Sequence, residues 1–79
     1  MKYYIIVFKN TLDAMNAEKK LNEIGMKFRM MPTPTSITHS CGICVRIEEK
    51  VYVDKIIANN IISYKNIYEK EDNNFIELS

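Results

Sequence analysis

The chain has 79 residues, 47% hydrophobic and 27% charged, with a formal net charge of +1. That length suits one domain, residues 1–79, whose core and active surface must share a small scaffold, and the composition is that of a globular protein rather than a disordered segment. Acids and bases are scattered along the whole length, leaving no basic stripe for nucleic acid, and the apolar run at residues 3–8 is far short of the roughly 20 needed to cross a bilayer, so neither nucleic acid nor a membrane is an expected partner.

The opening "KYYIIVFKN" is apolar on both alternating sides, Tyr4/Ile6/Phe8 and Tyr3/Ile5/Val7, as a central strand covered on both faces should be. Lys9 and Asn10 follow where a signal peptide would place its small-residue cleavage site, so a cytoplasmic location is expected. "NTLDAMNAEKKLNEIG" reads as an amphipathic helix. Asn10 or Thr11 serves as N-cap, Asp13 lies in the first turn, Ala14, Ala17, Leu21 and Ile24 form the apolar stripe, and Gly25 ends it.

"MKFRMM" alternates Met26, Phe28 and Met30 against Lys27 and Arg29, which predicts a strand with one buried face ending at Pro32. The proline-, serine- and threonine-rich stretch to Ser40 predicts a loop, because Met31 and Thr33 each precede a proline and are turned away from helix. "GICVRIEE" resumes the alternation, with Ile43, Val45 and Ile47 on one side and Cys44 and Arg46 on the other.

Residues 48–60 change to helical spacing through Val53, Ile56, Ile57 and Asn60/Ile61, with Glu48 and Glu49 near the start. "YKNIYEKE" predicts a last strand through Tyr64, Ile67 and Tyr68, and "NNFIELS" either adds an edge strand or lies over the sheet. The order strand-helix-strand, twice, predicts an α+β fold of the ferredoxin-like split βαβ type (βαββαβ), with two helices on one face of an antiparallel sheet. The opening strand offers no polar side to the other face. A partner, most simply a second copy in a homodimer, is therefore expected to cover it.

The chemistry concentrates in "PTPTSITHSCGIC", which holds both cysteines and the only histidine. Two cysteines three positions apart close too small a loop to staple the fold, and in a reducing compartment they suggest metal or thiol chemistry. A structural zinc site would take Cys41, Cys44 and His39, yet the chain has no further cysteine or histidine for the fourth position. Ferredoxin-like copper carriers place their cysteine pair between the first strand and first helix, where this chain has Lys9-Asn10-Thr11. A thioredoxin-like dithiol needs its first cysteine at a helix N-terminus, whereas this pair leads into the strand pattern "VRIE". No metal and no cofactor are called for.

These exclusions leave a single exposed nucleophile, Cys41, beside Gly42, whose backbone freedom would admit a second molecule. Ser36, Thr38 and Ser40 could donate hydrogen bonds, and His39 and Arg46 could supply the positive charge that favours a thiolate. The plain alternative is that both cysteines are inert packing residues and the hydroxyl cluster only makes turns.

"FKNTLDAMNAEKKLNEIG" followed by "KFRMMPTPTSITHSCGICVRIEE" resembles the selenium/sulfur carrier protein-like family. The resemblance covers residues 3–49 and continues less distinctly to residue 68, and its most specific element is the proline loop leading through Ser40-Cys41-Gly42 into a strand. It implies that Cys41 carries sulfur or selenium as a persulfide or its selenium equivalent, with Ser40 and Gly42 as the flanking motif. Three positions depart from the family: Cys44 stands in place of a small apolar residue, Thr35 in place of a frequent basic one, and Leu12 in place of a polar one.

The reading is thus a non-enzymatic carrier that meets donor and acceptor proteins, with Cys41 as the carrying thiol and Cys44 as a resolving thiol that releases the cargo by forming a disulfide. Ser40, Gly42, His39 and Arg46 form its surroundings. A small-ligand-binding or protein-interaction regulatory module is the alternative. A general acid/base enzyme has the least support, since the carboxylates are dispersed and one histidine is available.

Overall fold

The computed structural model describes residues 2–37 and 42–78. In chain order the elements are β1 (Tyr3–Val7), α1 (Thr11–Glu23), β2 (Arg29–Pro32), β3 (Ile43–Ile47), α2 (Lys50–Asn59), β4 (Asn66–Glu71) and β5 (Asn74–Glu77). They build one sheet in the order β2-β3-β1-β4-β5, antiparallel at every pairing. The first four strands follow the ferredoxin-like order, and the C-terminal stretch adds β5 as an edge strand.

Helix α1 forms where its caps and stripe predict. Asn10 stands outside the helix in extended backbone, and its Oδ1 accepts a hydrogen bond from the Asp13 amide at 2.8 Å. At the other end Gly25 takes φ +74°, and the amides of Gly25 and Met26 donate to the carbonyls of Asn22 and Leu21. This is a Schellman closure, in which glycine relieves the strain of the left-handed residue. Ala14, Ala17 and Leu21 are buried; Leu21 alone contributes about 1.5–3 kcal/mol of transfer free energy. Ile24 is 46% exposed. It was expected to complete the stripe, but it is the C-cap residue and has left the helical path.

Helix α2 starts at Lys50, with Glu49 as N-cap, so Glu48 belongs to the preceding connection. Val53 and Ile56 are buried, whereas Ile57 is turned outward at 41% exposure. Asn60 ends the helix in left-handed backbone, which lets Ile61 and Ile62 return to the core. Strand β2 is shorter than the alternation predicts: Met26 is buried and Phe28 packs on the core, but neither pairs in the sheet. Tyr64 likewise packs on the core ahead of β4.

The helices cover one sheet face. Between them lie Tyr4, Ile6 and Phe8 from β1 and its end, Val45 and Ile47 from β3, and Ile67 from β4. The opposite face carries a smaller cluster of Ile5, Val7 and Cys44, all wholly buried, under Tyr3, Met31, Ile37, Tyr68 and Phe75. Tyr68 and Phe75 meet edge to face across β4 and β5, with centroids 6.5 Å apart. Arg46 stacks 3.8 Å above the Tyr3 ring and Lys70 lies 4.8 Å from that of Phe75. The non-polar second side of β1 is thus packed against side chains of its own sheet and against Ile37.

Candidate functional site

The register brings several chain ends to one end of the sheet. Val7 pairs with Cys44 and with Asn66, and Pro32 pairs with Ile43. The segment leaving β2, the entry to β3, the turn from β1 into α1 and the entry to β4 therefore share that end. The cysteine-bearing loop is pinned there at its base, where the Thr33 amide donates to the Gly42 carbonyl at 3.0 Å. Its first half is a tight turn, with the Ile37 amide donating to the Pro34 carbonyl at 3.1 Å. Ile37 anchors the turn by packing on the Ile5, Val7 and Cys44 cluster.

Cys41, Ser40, His39 and Thr38 lie outside the described residues. Of the other expected site residues, Gly42 is exposed at the start of β3, with open space around the position a Cβ would take. Its φ is not in the left-handed region. The expected special backbone is therefore absent at Gly42, and its contribution reduces to clear space for an approaching molecule.

Cys44 is wholly buried in β3 on the face away from the helices. Its thiol donates to the Pro32 carbonyl at 3.7 Å, and Val7 and Met31 are its cross-strand neighbours. Arg46 lies four residues beyond Gly42, about 13 Å along an extended strand. Its guanidinium is engaged by the Tyr3 ring and by Glu48, with Nη2 at 3.5 Å from the carboxylate.

Among the described residues no group of three or more histidine, cysteine, aspartate or glutamate side chains could hold a metal ion. Lys2 lies just before β1, at the end of that strand away from the loop base. Glu69 first and Glu71 second raise its pKa above the ordinary 10.5, with the Glu69 carboxylate 3.5 Å from Nζ. Two residues that the sequence reading passed over matter here: Thr33, which closes the loop base, and Ile37, which anchors it. The signal for Ile37 was present, since it is the one large apolar residue between Met31 and Ile43.

The chain is similar to the uncharacterized protein YtiA of Escherichia coli (strain K12), with 31% identity over 45 residues, which is 57% of this chain and 53% of the relative. The aligned part thus spans about half the length of that curated relative. No solved structure matches the chain. No described helix is long and apolar enough to cross a membrane. The profile of the family described as "Putative Se/S carrier protein-like" matches residues 3–69, and the chain belongs to that family.

Proposed function

We propose that the protein carries sulfur or selenium on Cys41, as a persulfide or its selenium equivalent, between a donor protein and an acceptor protein in a reducing compartment such as the cytoplasm. Membership of the Se/S carrier protein-like family over residues 3–69 is the observation that carries this reading. The burial of Cys44 supports it from the other side, because of the two cysteines in the chain one is committed to packing.

Carriage needs a thiolate, access and little else. The Cys41 thiolate attacks the terminal sulfur of a donor persulfide, the donor's sulfur–sulfur bond breaks, and the donor leaves as a thiolate. A new sulfur–sulfur bond forms on Cys41, with no net gain or loss of electrons. Delivery repeats the step, with an acceptor thiolate attacking the terminal sulfur and Cys41 leaving. His39 supplies positive charge to the thiolate, Ser40 a hydroxyl donor, and Gly42 the clearance for the incoming protein. The loop base, fixed by the bond between Thr33 and Gly42, presents this segment at one end of a rigid sheet.

Cys44 as a resolving thiol would attack the inner sulfur of loaded Cys41 and expel hydrosulfide. That route leaves a Cys41–Cys44 disulfide that an external dithiol must reduce. Direct transfer needs no such reductant and is the simpler route.

The test is mass spectrometry with peptide mapping after incubation with a cysteine desulfurase and cysteine. The expected result is an adduct of one sulfur on the peptide containing Cys41, absent in Cys41→Ser. Equal loading of Cys41→Ser, or no adduct on the wild type, overturns the proposal.

A further inference from the structure

We propose that Lys27, Arg29 and Arg46 form a binding site for the phosphate group of a small phosphomonoester, independent of the carrier reading. The chain has only two arginines, and the register of β2 and β3 sets them directly opposite each other as the pair Arg29 and Arg46. Cross-strand partners on one face have Cβ atoms about 4.5–5.5 Å apart, and like charges there oppose folding. Packing does not explain the pair: Arg29 is exposed, and among the described residues no acidic side chain forms an ion pair with it.

The same two residues line a cavity of about 380 Å³ together with Lys27, Phe28, Glu48 and Glu49. Arg46 is held in place there, stacked on Tyr3, with its side chain only 23% exposed. Its Nε is buried and has no hydrogen-bond partner among the described residues, so its hydrogen-bonding capacity is not used up by the fold. The Glu48 carboxylate that touches it at 3.5 Å is 60% exposed, so solvent weakens that pair. Helix α2 also begins at this cavity. Its N-cap Glu49 makes no side-chain capping bond, so the first amides of the helix are not capped by a side chain, although the Glu48 and Glu49 carboxylates stand beside them.

Two planar guanidinium groups and an ammonium outnumber the Glu48 and Glu49 carboxylates in the lining, and with the helix start they suit an anion with several oxygens. A phosphomonoester offers three, and arginine binds such groups through paired hydrogen bonds. The volume leaves room for more than the phosphate itself, which points to a small molecule rather than the free ion as the natural occupant. The site lies toward the end of β3, away from the cysteine loop at its start.

The experiment is ¹⁵N–¹H NMR of the full chain at low ionic strength, titrated with inorganic phosphate, with adenosine monophosphate, with a single-stranded oligouridine, and with chloride at matched ionic strength. The expected result is saturable shifts at the amides of residues 27–29 and 46–50 with phosphate and adenosine monophosphate. Arg29→Gln should bind about tenfold more weakly, the loss of one charge-assisted paired contact, with Arg29→Lys between it and wild type. Without phosphate, the melting temperature of Arg29→Gln should equal or exceed that of wild type, because a like-charge pair has been removed. No saturable shift up to tens of millimolar, shifts reproduced by chloride, equal affinity in Arg29→Gln, or binding of the oligouridine alone would each overturn the proposal.

Discussion

Replacing Cys44 with alanine separates a packing thiol from a working one. Cys44 is wholly buried between Val7 and Met31, with Ile5 beside it in the same cluster. Removing Sγ deletes one heavy atom somewhat larger than a methylene, worth about 0.8–1 kcal/mol in transfer free energy. The void it leaves adds about 0.5 kcal/mol at about 24 cal/mol per Å³, and the weak bond to the Pro32 carbonyl adds a few tenths. The sum is about 1.5 kcal/mol. For a domain of this size each kcal/mol moves the melting temperature by about 4–8 °C, so Cys44→Ala should melt about 6–12 °C below wild type. Thermal unfolding by circular dichroism reads this directly, and urea unfolding should show a lower midpoint with an unchanged slope. Loading of Cys41 and delivery to an acceptor thiol should continue at the wild-type level. An unchanged melting temperature would refute the burial argument, and intact loading with abolished delivery would make Cys44 a resolving thiol after all.

The two glycines should respond differently to alanine. Gly25→Ala forces a left-handed residue onto a β-carbon and should cost about 1 kcal/mol in urea unfolding, whereas Gly42→Ala meets open space in an ordinary backbone region and should stay within about 0.5 kcal/mol of wild type. A slower transfer rate in Gly42→Ala at unchanged stability would identify the clearance that the carrier reading assigns to it; a large loss of stability would contradict the geometry. Asn10→Ala removes the bond to the Asp13 amide and should destabilise the protein by about 1 kcal/mol, while Asn10→Asp keeps the cap and should hold wild-type stability.

The strands and helices were legible because each carries a local signal. The double-sided apolar pattern of β1 placed it at the sheet centre, where the order β2-β3-β1-β4-β5 confirms it. The alternation in β3 assigned Val45 and Ile47 to one face and Cys44 and Arg46 to the other, and the two clusters divide in that way. Ile24 and Ile57 were misjudged because periodicity does not reveal where a helix axis ends or how far its buried arc extends. The covering of the second face was also beyond pattern reading. It depends on Tyr68 and Lys70 meeting Phe75 across a strand pairing and on Arg46 lying over Tyr3, far from it in sequence.

Local chemistry by itself determined the elements, their order, the caps of α1 and the segment in which thiol chemistry is concentrated. Those features depend on neighbours within a few residues, whose propensities and spacing are written along the chain. Only the tertiary structure decided that Cys44 is a core residue, that Arg46 meets Tyr3 and Glu48, and that Arg29 stands opposite it beside a cavity. Burial and charge pairing are set by strand register. A register joins residues 17 positions apart, such as Arg29 and Arg46, through backbone hydrogen bonds that leave no mark on either residue's local pattern.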